Sequence, residues 1–406
     1  MSARTTSRDY ARPYRPRAVR VANRVLPRPR RLERDALLDA ARARAKLDDF
    51  GPPDFLEPLD VLLDSIAREA RLTPVGHLIT RERLVGVLVN RLRVFAAHRP
   101  WTRPLELAPP VVITGLQRTG TTLLQRLLAA DPARRWLASW EALSPAPSGA
   151  RSGADPRVAA AERAERALAY LAPDFFAVHP VHAHAPEEDV LLLDQAFRST
   201  VPEATLRVPT YSRWLESADQ TPAYRHERLL LSLLSRQRGA DKRWLLKTPH
   251  HLEWLDVLFD VFQGARVVWT HRDPVVTVAS FCSMVAHGRG VFSDAVDPRE
   301  VGRDWGAKVA RMVDRALATR ARGHEDAFID VFYDDLVRDP LAEVRRIYAA
   351  LGEPLRPEAE RRMRRVLAEQ PQHQHGVHRY ALEDFGLEAG ALAERFAAYR
   401  ARFVRP

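Results

Sequence analysis

Residues 111–124 read VVITGLQRTGTTLL and join a β-branched run, a loop with two glycines and the start of an apolar helix. Val111-Val-Ile-Thr114 suits a strand buried on both faces. Gly115 and Gly120 have the G-x-x-x-x-G spacing of phosphate-binding loops, and residues 123–130 have a helical pattern. This order turns backbone N–H groups and the positive end of a helix toward an anion. The sequence therefore predicts a nucleotide-phosphate site at residues 115–122.

The loop lacks one residue that nucleoside triphosphatases use. Their second glycine is followed by a lysine, which reaches the β- and γ-phosphates, whereas Thr121 and Thr122 follow it here. Arg118 can supply the missing positive charge, and Thr119 adds a hydroxyl donor beside those of Thr121 and Thr122. We therefore expect a phosphate site that works without the usual Mg-triphosphate apparatus and needs no metal.

Further short apolar runs follow the loop and alternate with helical patterns. Strands are predicted at 244–247, 265–270 and 328–333, and helices at 157–171, 187–198, 221–238, 250–262, 274–285 and 340–351. Strands that alternate with helices favour a parallel sheet covered by helices on both faces. The predicted fold class is α/β, a P-loop-like three-layer fold over residues 109–406.

Three later segments make the interpretation of this loop more specific. Leu246-Lys-Thr-Pro249 has a Lys-x-Pro pattern, and residues 267–274 (VVWTHRDP) are followed by Ser280, eight residues after Arg272. Residues 333–337 read YDDLV. Together with the loop, they resemble the donor-binding elements of sulfotransferases that use 3′-phosphoadenylyl sulfate (PAPS). The resemblance covers about 110–390. Within the family, the chain resembles a broad bacterial branch that is related to tyrosine-protein sulfotransferases. That branch carries an H-R-Y-x-L-E-D-F-G-L segment, which corresponds to residues 378–387 here.

The resemblance implies PAPS as donor co-substrate and assigns roles to single residues. Lys247 is the cation at the bridging oxygen. Arg272 and Ser280 bind the 3′-phosphate, for which a guanidinium at a strand end is well suited because it can pair bidentately with a dianion. The donor-binding set is completed by residues of the loop and of two later segments: Arg118, Thr119, Gly120, Thr121, Thr122, Tyr333 and Arg379.

Three residues at two places in the chain compete as the general base that takes the acceptor's proton. The resemblance to the tyrosine-protein branch implies Glu141, and Trp136 and Trp140 beside it are expected to raise its pKa by desolvation. The cytosolic members of the family use a histidine, which implies His250, or His251 next to it. The sequence leaves this choice open.

The acceptor is a small molecule that the sequence does not identify. A polar cluster of His182, His184 and residues 187–189 (EED) is expected to line its pocket, and the His-x-His spacing also allows a metal site. Aromatic residues in the region between the motifs suggest a hydrophobic acceptor with a hydroxyl or amine: Phe175, Phe176, Phe197, Tyr211 and Trp214.

The N-terminal third has a different character. Residues 1–34 hold eleven arginines against Asp9 and Glu33, a local charge of 11 − 2 = +9 out of +11 for all 406 residues. With four prolines, this segment is predicted to be an extended, flexible arm. Helical patterns at 33–50, 57–72 and 79–97 predict an all-helical extension over residues 35–108.

The cysteine content of the chain and the length of its apolar runs limit the locations and functions that it can have. Cys282 is the single cysteine, which excludes an intramolecular disulfide and favours a cytoplasmic location. No continuous apolar run reaches membrane-span length, so no span is expected. Two alternatives to sulfuryl transfer remain: a P-loop-type small-molecule kinase, and a non-enzymatic protein that binds nucleic acid or another anion through the basic arm.

Overall fold

The computed structural model describes residues 6–27, 29–99, 105–148, 154–239, 241–369 and 379–405. Its centre is a five-stranded sheet in the order β2-β3-β1-β4-β5, in which every neighbouring pair is parallel. The strands are β1 Val111–Gly115, β2 Arg134–Trp136, β3 Arg243–Lys247, β4 Arg266–His271 and β5 Phe328–Phe332. The predicted parallel α/β sheet is therefore confirmed, with the glycine-bearing strand in the middle.

Side chains of the central strand alternate between two buried clusters. Val111 and Ile113 pack with Leu124 of the following helix on one face of the sheet. Val112 packs on the other face, in a larger cluster that also contains Trp269. All three strand residues are fully buried, as expected for a strand covered on both faces. The fold consequently has three layers.

Helices form the outer layers and the N-terminal extension. In chain order they are α1 Arg17–Val25, α2 Arg34–Ala45, α3 Leu56–Glu69, α4 Pro74–His98, α5 Thr121–Ala129, α6 Ser139–Leu143, α7 Pro156–Leu171, α8 Pro173–Val178, α9 Val190–Leu193, α10 Val201–Thr205, α11 Pro209–Ser217, α12 Thr221–Gln237, α13 Leu255–Val261, α14 Pro274–Phe292, α15 Pro298–Thr319, α16 Tyr333–Arg338, α17 Pro340–Leu351, α18 Pro357–Glu369, α19 Ala389–Arg395 and α20 Ala397–Phe403. The smaller core packs α5, α17 and α18 on the sheet, and the larger core packs α12, α14 and α15 on it.

The helical extension packs into the larger core. Buried leucines of α3 and α4 belong to the same cluster as α14 and α15. Arg91 of α4 is one per cent exposed, donates to the backbone oxygens of Phe50 and Pro52, and pairs with Asp54 at 2.9 Å. These bonds tie α4 to the turn before α3. The division into an arm, an extension over 35–108 and a domain over 109–406 stays a prediction.

The basic arm is not extended throughout, contrary to the expectation. Residues 17–25 form α1, and Pro16, with an extended backbone, is the residue immediately before the helix. Upstream, Tyr10 is buried and donates a hydrogen bond to Ser283 Oγ at 2.9 Å. Packing against α14 and α4 therefore overrides the arm's proline-rich composition.

Three local predictions differ from the structure. The helix expected over 187–198 is α9 followed by a 3-10 turn, which ends at Phe197 with φ 55°. The helix expected over 250–262 is a 3-10 turn at Pro249–Glu253 followed by α13. Helix α14 runs to Phe292 instead of 285, and it is long and apolar enough to span a membrane. Two-thirds of its apolar window is buried inside the protein, which is the behaviour of a core helix.

Candidate functional site

The carboxyl ends of the central strands surround a cavity of about 880 Å³. This edge is where parallel α/β sheets bind ligands. On one side lie Arg118, Gly120, Thr121, Thr122, Arg272 and Tyr333, which are six of the predicted donor-binding residues. Glu187, Glu188, Thr248 and His250 also line the cavity. The structure therefore brings most of the predicted site together.

The loop after β1 needs glycine at two positions. Gly115 has φ 151°, and a Cβ there would lie 2.2 Å from Thr270 Oγ1. Gly120 has φ 88°, and a Cβ there would lie 2.9 Å from Leu336 Cδ2 and 3.3 Å from Tyr333 Cδ2. Arg118, between them, also adopts a left-handed conformation with φ 69°. The loop therefore turns tightly against β4 and α16.

The threonines of the loop have different roles. Thr122 is exposed at the first turn of α5, where backbone N–H groups lack helical acceptors. Thr119 is fully buried, and its hydroxyl is engaged by Leu116 O at 2.5 Å and Thr270 Oγ1 at 2.6 Å. The expectation that Thr119 offers its hydroxyl to the ligand is therefore wrong in this structure. It holds the loop against β4.

Arg118, Arg272 and Tyr333 converge at one end of the cavity. Arg272 Nη1 donates to the backbone oxygen of Arg118 at 3.0 Å. The Arg272 guanidinium lies 3.9 Å from the centre of the Tyr333 ring, a cation–π contact that fixes its plane. Two guanidinium groups beside a helix N-terminus can neutralise a dianion and hydrogen-bond to it.

Two further predicted donor contacts lie away from the cavity surface. Ser280 is one per cent exposed, inside α14, and does not line the cavity. Arg379 is exposed, and its backbone N–H donates to Thr6 Oγ1 at 3.2 Å. Tyr380, the next residue, does line the cavity. The histidines at 373, 375 and 378 lie outside the described residues.

Lys247 is buried at the end of β3. Its Nζ donates to Glu188 Oε1 at 2.6 Å, and Glu188 Oε2 also accepts from Thr248 Oγ1 at 3.3 Å. Glu188 is a residue that the sequence placed only in an acceptor-pocket cluster. The cluster's spacing pointed to the region, but no local pattern showed that Glu188 would contact the predicted catalytic lysine.

A buried hydrogen-bond network fixes the backbone of this strand end. Asp189 Oδ1 accepts from the Lys247 backbone N–H at 2.6 Å, and Asp189 Oδ2 lies 2.7 Å from His251 Nε2. His251 Nδ1 is bonded to the Tyr224 hydroxyl at 2.8 Å. Burial and the Asp189 charge raise the pKa of the Glu227 carboxyl, which lies beside this network, well above its usual range. Both ring nitrogens of His251 are thus committed to structure, which removes it as a base.

The Asp189, Glu227 and His251 side chains are also close enough to hold a metal ion, since their ligand atoms lie within 4.8 Å of one another. The hydrogen bonds above and a proton kept on Glu227 account for the same arrangement. The His-x-His pair that suggested a metal does not join this group. His182 bonds to Glu165 at 2.8 Å, and His184 bonds to Glu162 at 3.0 Å.

His250 lines the cavity with one per cent of its surface exposed. Its ring lies 4.2 Å from the Trp254 ring, tilted by 32°. Within the described ranges, neither ring nitrogen has a hydrogen-bond partner. Burial, assisted by His251 and Lys308, lowers the pKa of His250 well below its usual value. The imidazole is therefore neutral near pH 7 and can accept a proton.

Glu141 lies in a different environment. It is one per cent exposed, does not line the cavity, and pairs with Arg135 at 2.6 Å and Arg238 at 2.9 Å. Burial favours its neutral form, but the hydrogen bonds from Arg238 and Arg135 outweigh that effect and lower its pKa. The expected rise caused by Trp136 and Trp140 is therefore wrong in sign. Glu141 also accepts from the Ala138 N–H and so caps α6.

An apolar wall makes up much of the remaining cavity lining. It is built by α8, α10, α14 and α15, and includes Phe175, Val178, Val201, Phe281, Met284, Trp305 and Met312. Of the aromatic residues singled out in the sequence, Phe175 lines this wall, whereas Phe197 and Tyr211 are buried in the core. The cavity lining therefore combines cationic side chains with an apolar wall, and it also includes His250 and Glu188.

A central parallel sheet, a phosphate-type loop and converging arginines define a nucleotide-binding α/β protein of P-loop type. The chain belongs to the sulfotransferase family, whose model matches residues 109–357.

Solved structures of relatives support this assignment. The sulfotransferase STF1 from Mycobacterium tuberculosis H37Rv is 36% identical, with a TM-score of 0.80 over 91% of this chain and 99% of that chain. The sulfotransferase STF9 from Mycobacterium avium is 30% identical, with a TM-score of 0.82 over 92% and 97%. The likeness therefore includes the N-terminal helices as well as the sheet.

A curated relative has a named acceptor. The omega-hydroxy-beta-dihydromenaquinone-9 sulfotransferase Stf3 of Mycobacterium bovis and of Mycobacterium tuberculosis is 28% identical over 263 residues. The match spans 60% of this chain and 63% of Stf3, less than two-thirds of that relative's length.

Proposed function

We propose that this protein transfers a sulfuryl group from PAPS to the hydroxyl or amine of an apolar small molecule. The observation that carries the proposal is the division of the cavity lining between cationic and apolar groups. Arg118, Arg272 and the N-terminus of α5 line the cavity together with an apolar wall. Such a division suits a donor with two anionic groups and an acceptor with little polarity.

The predicted donor contacts form two groups, one at the phosphate-binding loop and one at the end of β4. The N–H groups at the start of α5, with Thr122 and Arg118, bind the 5′-phosphosulfate. Arg272, held in place by Tyr333 and the Arg118 carbonyl, binds the 3′-phosphate. Ser280 and Arg379 remain proposed donor contacts that require side chains to move relative to this structure.

The transfer step breaks one S–O bond and forms another. The acceptor oxygen or nitrogen attacks sulfur, the bond from sulfur to the bridging phosphate oxygen breaks, and adenosine 3′,5′-bisphosphate leaves. His250 takes the acceptor's proton, since its ring is neutral and uncommitted. Lys247 stabilises the charge that develops on the bridging oxygen. To do so, the Lys247 ammonium must break its contact with Glu188 and contact the bridging oxygen instead.

The acceptor class is proposed from the wall of the cavity. Phe175, Phe281 and Met284 offer apolar surface beside His250, and aliphatic side chains enlarge it. Stf3, by its name, acts on a hydroxylated menaquinone, which is a lipid. We propose a hydroxylated, lipid-like acceptor of the same general character here. Cytoplasmic location stays a prediction from the single cysteine, which is buried.

The kinase alternative is weaker. Thr121 occupies the position of the nucleotidase lysine and is six per cent exposed. The loop therefore offers no ammonium for a γ-phosphate.

Calorimetry with adenosine 3′,5′-bisphosphate tests the donor half of the proposal. We expect binding without added metal, and weaker binding of Mg-ATP. The absence of bisphosphate binding, or a preference for Mg-ATP, would refute sulfuryl transfer. Labelled PAPS with alcohols of graded chain length then tests the acceptor half, for which kcat/KM should rise with chain length.

A further inference from the structure

We infer that α1 is a docking surface for an anionic lipid bilayer. The inference concerns the chain's N-terminal helix and does not depend on sulfuryl transfer. It rests on the division of that helix into a cationic flank and an exposed apolar face, and on the way the arm is fastened to the wall of the cavity.

The outward face of α1 is apolar. Asn23 faces the protein, since its Oδ1 accepts from the Val75 N–H of α4 at 3.0 Å. At about 100° per residue, Val21 and Val25 lie nearly opposite Asn23. They are 58% and 73% exposed, and Ala18, which lies next to Val25 around the helix, is exposed as well. These side chains therefore point away from the fold.

One flank of the same helix is cationic. Arg17, Arg20 and Arg24 recur at helical spacing beside the valines, and all three are exposed. Among the described residues, no ion pair joins any of them to a carboxylate. Arg12 and Arg30 add further exposed charge on either side of the helix. This flank is therefore suited to a partner with negative charge.

An exposed apolar face beside unpaired arginines is the pattern of a helix that lies in the headgroup region of a membrane. A nucleic-acid backbone would also attract the arginines, but it gives no reason for exposed valines. Charge and apolar surface together thus favour a bilayer over a nucleic acid.

The arm is fastened to the helix that walls the acceptor cavity. Tyr10 bonds to Ser283 Oγ, and its ring lies 5.1 Å from that of His287. Arg15 donates to Ser293 O and Asp294 Oδ1, at the end of α14. Phe281 and Met284 of the same helix line the cavity. The arm that carries α1 and the apolar lining of the cavity therefore share helix α14.

Vesicle co-sedimentation of the full chain tests the inference. Binding is expected for phosphatidylcholine vesicles with roughly a third phosphatidylglycerol and not for pure phosphatidylcholine, since each arginine near an anionic surface contributes about fivefold in affinity. Arg17→Ala, Arg20→Ala and Arg24→Ala together should weaken binding about 100-fold. Val21→Asn with Val25→Asn keeps the charge and should weaken it on the order of tenfold.

A charge-matched control separates this surface from general basicity. Arg361→Ala, Arg364→Ala and Arg365→Ala remove three exposed charges from α18 and should leave vesicle binding unchanged. Equal loss in this control, or equal binding to neutral and anionic vesicles, overturns the inference. So does binding of a short DNA duplex that depends on the α1 arginines but not on the valines, with no vesicle binding. Circular dichroism and bisphosphate affinity confirm that each variant is folded.

Discussion

Lys247 Nζ and Glu188 Oε1 lie 2.6 Å apart, so the lysine proposed to assist departure of the bisphosphate rests on a carboxylate of the cavity wall. Both groups are largely removed from solvent, with side chains 4% and 19% exposed. The pair leaves no isolated buried ammonium before the donor arrives. The bridging oxygen must therefore compete with Glu188 for the same cation.

Lys247→Ala should lower kcat by about 10²–10³-fold, since it removes one preorganised stabiliser of the transition state. The affinity for adenosine 3′,5′-bisphosphate should change little, because the loop and Arg272 hold the two phosphates. Steady-state rates and calorimetry measure the two effects separately. Lys242→Ala, near the amino end of β3, serves as the control. A loss of affinity as large as the loss of rate would assign Lys247 to ground-state binding instead.

Arg272→Ala should weaken bisphosphate binding about 10- to 100-fold, the usual effect of losing hydrogen bonds to a charged group. Tyr333→Leu should weaken it less, because it removes only the ring on which the guanidinium rests. Titration calorimetry gives both values. Arg303→Ala, a change at an exposed residue, is the matched control. Unchanged affinity of the Arg272 variant would remove it from the 3′-phosphate site.

His250→Gln should lower kcat by about 10²–10⁴-fold if the imidazole is the base. Because burial lowers the pKa of this ring, the wild-type rate should persist below the pH at which a solvent-exposed histidine becomes protonated. Glu188→Gln should cost less, since it alters only the resting partner of Lys247. The pH profiles of kcat decide the matter. A larger loss in the Glu188 variant would move the base to that carboxylate.

Glu141→Gln should destabilise the fold by about 3–5 kcal/mol, because it leaves Arg135 buried without its counter-charge. The kcat of the folded protein should be unaffected, since Glu141 does not line the cavity. Denaturant unfolding and active-site-normalised rates test both statements. A large loss of kcat at unchanged stability would restore Glu141 as the base.

The low pKa of His250 also links stability to pH. In the unfolded chain this histidine has a pKa of about 6.5, so below that pH it binds a proton that it does not bind in the folded chain. Its contribution to the free energy of unfolding therefore falls as pH falls. The slope from one such histidine is about 1.4 kcal/mol per pH unit. His250→Gln should remove that much of the slope between pH 6.5 and the folded pKa. Equal slopes in unfolding titrations would contradict the burial argument.

Much of the fold was predictable because the segments with an apolar local pattern are also the segments that the fold buries. Strands β1, β3, β4 and β5 contain apolar runs that the sheet buries. Strand β2 (Arg134-Arg-Trp136) was missed because two of its three residues are arginines. Its arginines are buried by pairs with Glu353 and Glu141, which no local pattern shows.

Where chemistry and chain order coincide, the sequence named residues that line one cavity in the structure, as with the loop, His250 and Arg272. Glu141 was misjudged because Arg238, one of its two partners, lies 97 positions away in the sequence. The contact between Glu188 and Lys247 spans 59 positions and was hidden for the same reason. Side chains whose environment is set by long-range partners were therefore the least predictable.

Because Thr121 is buried, this loop differs from the loops of nucleoside triphosphatases in its packing as well as in the identity of one residue. A lysine at that position would have to fit its methylenes where the threonine is six per cent exposed, next to a glycine closed in by Tyr333 and Leu336. A lysine in place of Thr121 would thus require the neighbouring helix to move as well. The packing of this loop and the class of ligand that it can bind are therefore coupled.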